Sequence, residues 1–427
     1  MISLSLSDKV MLGTALLGGM AGVVGSFAVL RGRALIGDML AHAALPGVCL
    51  AFLITGNRDL LGLSLGALAT GLVAIAVVTV ILRWTRTKED AAIGIVLSTF
   101  FGAGVVLLSV VQKPTTGGNK AGLHSYLFGE PGGMLTSDIL ILAVVSMFVL
   151  AIVVLCYKEF LIVCFDSGFA QSQGWPTMWL DLAMMSALAV VTIVGLPIVG
   201  VILMAAMIIL PAATARFWTN RLSMMLLVSG GVGAAAGLMG TQLGRGYPAG
   251  AAIVLTASFL FLISLLFAPQ RGLIAKLLVE YRLRRRVADE HLLRTLFELS
   301  EAHLPELPVI SLETVREYRH WNSLERVLQR AHEEELIENK EGQVQLTQYG
   351  LRRAAKVTKA HRMWELYLME YANIAPDHVD RDADDVEHLL PETLLVELEQ
   401  ELAAEGRLPK IASEVPESPH KLTPETS

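Results

Sequence analysis

Only three cysteines occur in 427 residues, Cys49, Cys156 and Cys164. They are too few and too scattered for a disulfide framework or a C-x-x-C metal site. No G-x-x-x-x-G-K-[ST] phosphate loop is present, so if ATP drives this protein another chain must hydrolyse it. Charge is scarce in the first 270 residues, which hold 13 Lys/Arg, 10 Asp/Glu and two His for a net of +3. The first apolar run, "VMLGTALLGGMAGVVGSFAVL", is too long for a signal h-region and no clear A-x-A site follows it. It reads as a retained membrane span.

What is abundant is apolar residue: 53% of the chain, with a mean hydropathy of +0.55, the profile of a polytopic membrane protein. The character is uneven. Residues 271–427 hold 21 Lys/Arg, 30 Asp/Glu and eight His, a net of −9. A membrane half is therefore joined to an acidic soluble half large enough for its own core. Runs of about 20 apolar residues suit a hydrocarbon core of ~30 Å. They fall near 10–30, 34–56, 60–83, 91–112, 136–156, 178–196, 198–215, 222–242 and 249–268. The spans number nine, or eight if the pair around "GLP" is one broken helix. The basic breaks "RGR", "RWTRTKED", "RFWTNR" and "QRGLIAKLLVEYRLRRR" alternate with less basic ones. The positive-inside rule puts them, and the C-terminus, in the cytoplasm; with nine spans the N-terminus is outside.

One segment breaks the apolar pattern. "GDMLAHAALPG" places Asp38 and His42 at i and i+4 on one helix face, about 6 and 12 Å into the second span at 1.5 Å per residue. Ionisable groups at such depth are costly and point to function. Pro46 cannot donate to the carbonyl of His42. Carboxylate, imidazole and carbonyl together make a first shell for a divalent transition metal. Hydrogen bonding to neighbouring helices and a proton relay are the other readings of the pair. Asp138 and Asp181 stand at span starts, where the helix dipole favours an acid.

"RGRALIGDMLAHAALPGVCLAFL", "SYLFG", "FDSGFAQSQGWP" and "VGVILMAAMIILPAATARFW" resemble, in order and spacing, the ABC-transporter permeases that import manganese, zinc or iron. The resemblance covers nearly all of residues 10–268. It implies a paired permease (homodimer or heterodimer), cytoplasmic ATPase subunits and an external metal-binding protein. It further implies that Asp38 and His42 line the translocation path, and that the segment around Pro211–Arg216 docks on the ATPase.

In the soluble half, "RGLIAKLLVEYRLRRRV" is a basic juxtamembrane helix suited to anionic lipid. "HLLRTLFELSEAH", "SLETVREY" and "WNSLERVLQRAHEEELIE" have helical spacing. "ENKEGQVQLTQYG" alternates about a glycine turn as a small β-wing does. A long helix near 348–372 follows. Three helices and a wing make a winged helix-turn-helix. "AHRMWELYLMEY" then sets His361 and Glu365 at i and i+4, and "DADDVEH" supplies Asp384, Glu387 and His388. On spacing alone these clusters are equally an ion-paired helix face.

The stretch 288–405 resembles iron- and manganese-dependent repressors. Carried over by position, His361, Glu365, Asp384, Glu387 and His388 match that family's metal ligands, with Glu290 a weaker match. Asp380 stands where some members have histidine, and Asp384 where members have Glu or Cys. An oxygen-rich, thiol-free set with two imidazoles suits Mn²⁺ or Fe²⁺ better than zinc. The recognition helix holds Arg326 and Arg330 but also Glu325, Glu333, Glu334 and Glu335. With the half at −9, the charge argues against DNA binding.

The expected protein is thus an all-α polytopic inner-membrane permease of 8–9 spans with a cytoplasmic winged-helix and helical metalloregulator-like domain. Its parts are a permease domain over 1–270, a linker helix over 271–287, a winged helix over 288–350, a helical domain over 351–408 and a disordered tail over 409–427. It is a transport subunit with no permanently bound cofactor. Mn²⁺ is the leading substrate, with Zn²⁺ or Fe²⁺ as others, and a divalent metal is a candidate regulatory ligand. A membrane-tethered or proteolytically released metal-dependent repressor is the alternative.

Overall fold

The computed structural model describes residues 5–56, 60–111, 129, 134, 136–244, 247–321, 323–340, 342–371, 396–400, 402 and 415–416. The chain divides into two compact units, Met1–Lys276 and Leu277–Ser427.

The first unit is helical. Ser5 and Asp8 form a reciprocal capping box that opens α1, Leu6–Leu30. There follow α2 (Leu35–Thr55), α3 (Leu60–Trp84), α4 (Glu89–Val111) and α5 (Thr136–Leu155). Two short helices, α6 (Tyr157–Phe165) and α7 (Ser167–Ser172), precede α8 (Thr177–Val199), α9 (Val201–Trp218), α10 (Leu222–Leu243) and α11 (Ala249–Phe267). Eight of these helices are long and apolar enough to cross a membrane, and Leu203–Trp218 is a shorter apolar one. The break between α8 and α9 lies at Gly200, three residues past Pro197, where φ is +87°. That conformation suits glycine, which has no Cβ to clash, so the chain turns there and not at the proline. The stretch between the apolar runs 136–156 and 178–196 is mostly helix. Asp166 caps α7 by accepting from the Phe169 amide at 2.8 Å.

The inner helices are α1, α2 and α8; α3, α4, α5 and α11 bury only 22–28% of their span residues. Lipid offers no hydrophobic drive between helices, so small residues must let backbones meet. The seam between α1 and α10 does this. A Cβ on Gly18 would lie 2.2 Å from the Gly233 carbonyl oxygen, and one on Gly233 would lie 2.0 Å from that of Gly18. Ser26 donates to Ser229 at 2.8 Å across the same seam.

The second unit is a winged helix with a helical extension. No glycine or proline interrupts residues 273–300, and α12 runs unbroken over Leu273–Ser300. The separate linker helix expected over 271–287 is therefore corrected: it is the first part of the domain's first helix. Next come β1 (Ile310–Ser311), α13 (Leu312–Tyr318), α14 (Leu324–Glu333), β2 (Ile337–Lys340), β3 (Gln343–Leu346) and α15 (Gln348–Tyr371). The strands form one antiparallel sheet, ordered β1-β3-β2, in the register Ile310↔Val344 and Ile337↔Leu346. Gly342, at φ +82°, lies in the turn of the wing. Leu292, Leu296, Phe297, Val315, Leu328 and Ile337 build the core. Two residues of the expected tail over 409–427 are among those described. Val415 packs on that core, and the Pro416 carbonyl accepts from the buried Arg362 guanidinium at 2.7 Å. Arg362 also makes a two-point contact with Glu301, at 2.7 Å for each nitrogen.

Candidate metal pathway and regulatory site

From Ile36 to Cys49, every residue of α2 is buried except Asp38 and His42. The two polar side chains therefore share the one stripe of this segment that the unit's own packing leaves open. His42 Nε2 lies 3.5 Å from Asp38 Oδ1, a spacing at which one small cation can contact both. Two protein ligands leave most of a coordination shell to water. That suits an ion in transit, because a permanent structural site closes its shell. Among the described residues no group of three or more His, Cys, Asp or Glu is placed to hold a metal.

Helix α4 shapes this stripe. A Cβ on Gly104 would fall 3.0 Å from Pro46 Cδ, so α4 rests closely against α2 at the proline. Three residues earlier, Phe101 sets the edge of its ring on His42, with centroids 4.8 Å apart and planes at 75°. Such contacts are worth about 0.5–1.5 kcal/mol. Phe101→Ala should therefore raise the half-saturating metal concentration for uptake by up to ~10-fold while leaving the maximal rate less affected, as measured by initial-rate uptake.

Near the start of α2 the structure shows what sequence reading missed. Asp181 Oδ1 lies 3.2 Å from Arg31 Nη2, and Arg33 bridges Asp181 and Glu89. Arg31 also donates to the Val163 carbonyl at 3.0 Å. Asp181 is thus an ion-pair hub and not merely an acid at a helix start. The signal available was the alternation of "RGR", Glu89 and Asp181 at span ends. Pro211 is buried within α9, against α1 at Gly22, and Arg216 is half-buried near that helix's C-terminus.

In the second unit, His361 and Glu365 are fully buried on α15, with His361 Nε2 3.2 Å from Glu365 Oε1. They are a nitrogen and an oxygen donor at a separation one ion can bridge, so in kind they fit the divalent metal expected of them. Their other neighbour was not foreseen. Arg294 of α12, also buried, places Nη1 3.1 Å from His361 Nδ1 and Nε 2.9 Å from Glu298 Oε1. Glu298 accepts in turn from the Tyr318 hydroxyl at 3.2 Å. Glu290 accepts from Arg286 at 2.8 Å. Asp380, Asp384, Glu387 and His388 lie outside the described residues. On α14, Arg330 is held by Asp289 at 2.6 Å and Glu325 faces Arg316 at 3.5 Å.

A polytopic α-helical unit with an acid–imidazole pair on the open stripe of an inner helix, followed by a winged helix, defines a membrane transport protein with an attached regulator-like domain. Comparison with known proteins agrees. The ABC 3 transport family profile matches residues 3–268, and that of the iron dependent repressor, metal binding and dimerisation domain matches residues 347–410. The chain belongs to the ABC 3 transport family. It is 40% identical over 390 residues to the manganese transport system membrane protein MntC of Bacillus subtilis, covering 90% of this chain and 89% of that one. It is 38% identical to the zinc transport system membrane protein TroC of Treponema pallidum, over 66% of this chain and 94% of that one. The solved structure of PsaBC from Streptococcus pneumoniae in complex with Fab matches with a TM-score of 0.56 at 34% identity, covering 63% of this chain and 94% of that chain.

Proposed function

We propose that this permease imports divalent transition metal ions, Mn²⁺ foremost, with Zn²⁺ or Fe²⁺ as further substrates. The observation that carries the reading is the open Asp38/His42 pair on an otherwise buried stretch of α2; the manganese and zinc transport systems named for its relatives support it. An external metal-binding protein delivers the ion. It passes between Asp38 and His42 of paired protomers and leaves on the cytoplasmic side, where partner ATPases drive the cycle through the end of α9 around Pro211–Arg216. The basic segment at the start of α12 sits in the cytoplasm against anionic lipid, as the positive-inside rule requires.

The test is uptake of radiolabelled Mn²⁺ into proteoliposomes holding the chain with its ATPase. Uptake that needs ATP, and that Zn²⁺ and Fe²⁺ suppress, supports the reading. Uptake without ATP would assign the protein to secondary transport instead.

The soluble domain senses the same metal in this reading. His361 and Glu365, with Asp384, Glu387, His388 and Glu290, would hold a cytoplasmic ion, which would supply a cross-link ordering or pairing these domains. Uptake would then slow as internal metal rises, a coupling between two sites. Vesicles preloaded with Mn²⁺ should show inhibited uptake with the wild-type chain and relief of that inhibition in His388→Ala; identical inhibition curves would remove the feedback role. Operator binding is less favoured, since Arg330, one of two arginines on α14, is engaged by Asp289.

A further inference from the structure

We propose that Arg294 is a tautomer lock on His361, and that it sets the metal concentration at which the His361/Glu365 pair can be filled. The inference rests on the metal-sensing reading of the soluble domain.

A guanidinium has only N–H donors and no acceptor. Arg294 Nη1 stands 3.1 Å from His361 Nδ1, so Nδ1 must be the accepting nitrogen and carries no proton. In the neutral imidazole the proton then sits on Nε2, the nitrogen 3.2 Å from Glu365 Oε1. There a proton, and not a lone pair, faces the carboxylate.

A cation shared by His361 and Glu365 needs the opposite arrangement. Nε2 must present its lone pair toward Glu365, and the proton must lie on Nδ1. Ligating histidines normally give that second N–H to an acceptor, which fixes the ring for the metal. Here the group facing Nδ1 is a donor, and N–H would confront N–H. Turning the ring over would carry Nδ1 away from Arg294 and so break the same contact. Filling the pair therefore requires Arg294 to leave Nδ1.

Leaving is costly, because Arg294 is anchored. Its Nε donates to Glu298 at 2.9 Å with both side chains 4% exposed, and Glu298 is held by Tyr318 at 3.2 Å. The chain Tyr318–Glu298–Arg294–His361–Glu365 thus joins α13, α12 and α15 in a metal-free arrangement. A pair whose imidazole is held with its proton toward the partner carboxylate responds only when the ion is plentiful, which is what a brake on import requires.

The test is Mn²⁺ binding to the purified full-length chain, followed by loss of the free-ion paramagnetic resonance signal. An Asp38→Ala/His42→Ala background silences the transport pair. Arg294→Met/Glu298→Gln removes the donor without leaving Glu298 as an unpaired buried charge; Arg294→Lys keeps a donor. The first should bind Mn²⁺ at least about tenfold more tightly than the background chain, because no donor then faces Nδ1 and groups bonded to a liganding histidine shift affinity by about that factor, and the lysine variant should stay near it. Equal or weaker binding in the first variant, at a site abolished by His361→Ala, would overturn the lock and leave the metal site standing. No binding in any of the chains would overturn the sensing reading with it.

Discussion

Asp38→Ala and His42→Ala should each lower metal uptake by on the order of 100-fold or more, with the amount of folded protein in the membrane unchanged. The size follows from coordination. Loss of a partner one shell removed from a metal already costs about 10–100-fold, and these side chains are the only polar contacts that α2 offers along its open stripe. The unchanged folding follows from the same fact. Neither residue is packed into the core, so truncating it leaves no cavity of the kind that destabilises interiors. Asp38→Asn keeps the shape and removes the charge, and its uptake should fall nearly as far as that of the alanine variant. Initial-rate uptake with quantified protein is the measurement. Wild-type rates in either alanine variant would remove this pair from the pathway.

The second large effect concerns folding. Gly233→Leu should abolish recovery of monodisperse protein, because the added Cβ would lie 2.0 Å from the Gly18 carbonyl oxygen. Overpacking that flexible side chains can relieve costs about 1–3 kcal/mol. Here the obstacle is backbone, so α1 and α10 must separate along a seam that includes the Ser26–Ser229 hydrogen bond. Size-exclusion chromatography of the solubilised protein reports the outcome. Gly94 is the matched control: a Cβ there meets nothing within 4 Å, and Gly94→Leu should give an ordinary monodisperse peak.

Much of this architecture could be read before any coordinates, for identifiable reasons. Long apolar runs declare themselves, since few structures other than a membrane helix accommodate about 20 of them in a row. Asp38 and His42 stood out because ionisable groups are rare in such company. The winged helix was legible from the change of period between "WNSLERVLQRAHEEELIE" and "ENKEGQVQLTQYG". What stayed hidden falls into two kinds. Some features have little local signal: α6 and α7 are too short for a period to emerge, and Gly200 outranks Pro197 as a breakpoint only once φ is known. Others are encounters between distant residues. Asp181 meets "RGR" across some 150 positions, and Arg294 meets His361 across 67. A composition boundary also misled. Charge turns from basic to acidic near residue 288, but helices stop at glycine, proline or a cap and not at a change of charge, so α12 continues through it.

That continuity has a geometric consequence. With no glycine or proline between Leu273 and Ser300, the helical phase of α12 is continuous from Leu273 to Arg294. At about 3.6 residues per turn, inserting a single residue near Arg282 would swing everything downstream by roughly 100°, whereas four would nearly restore the phase.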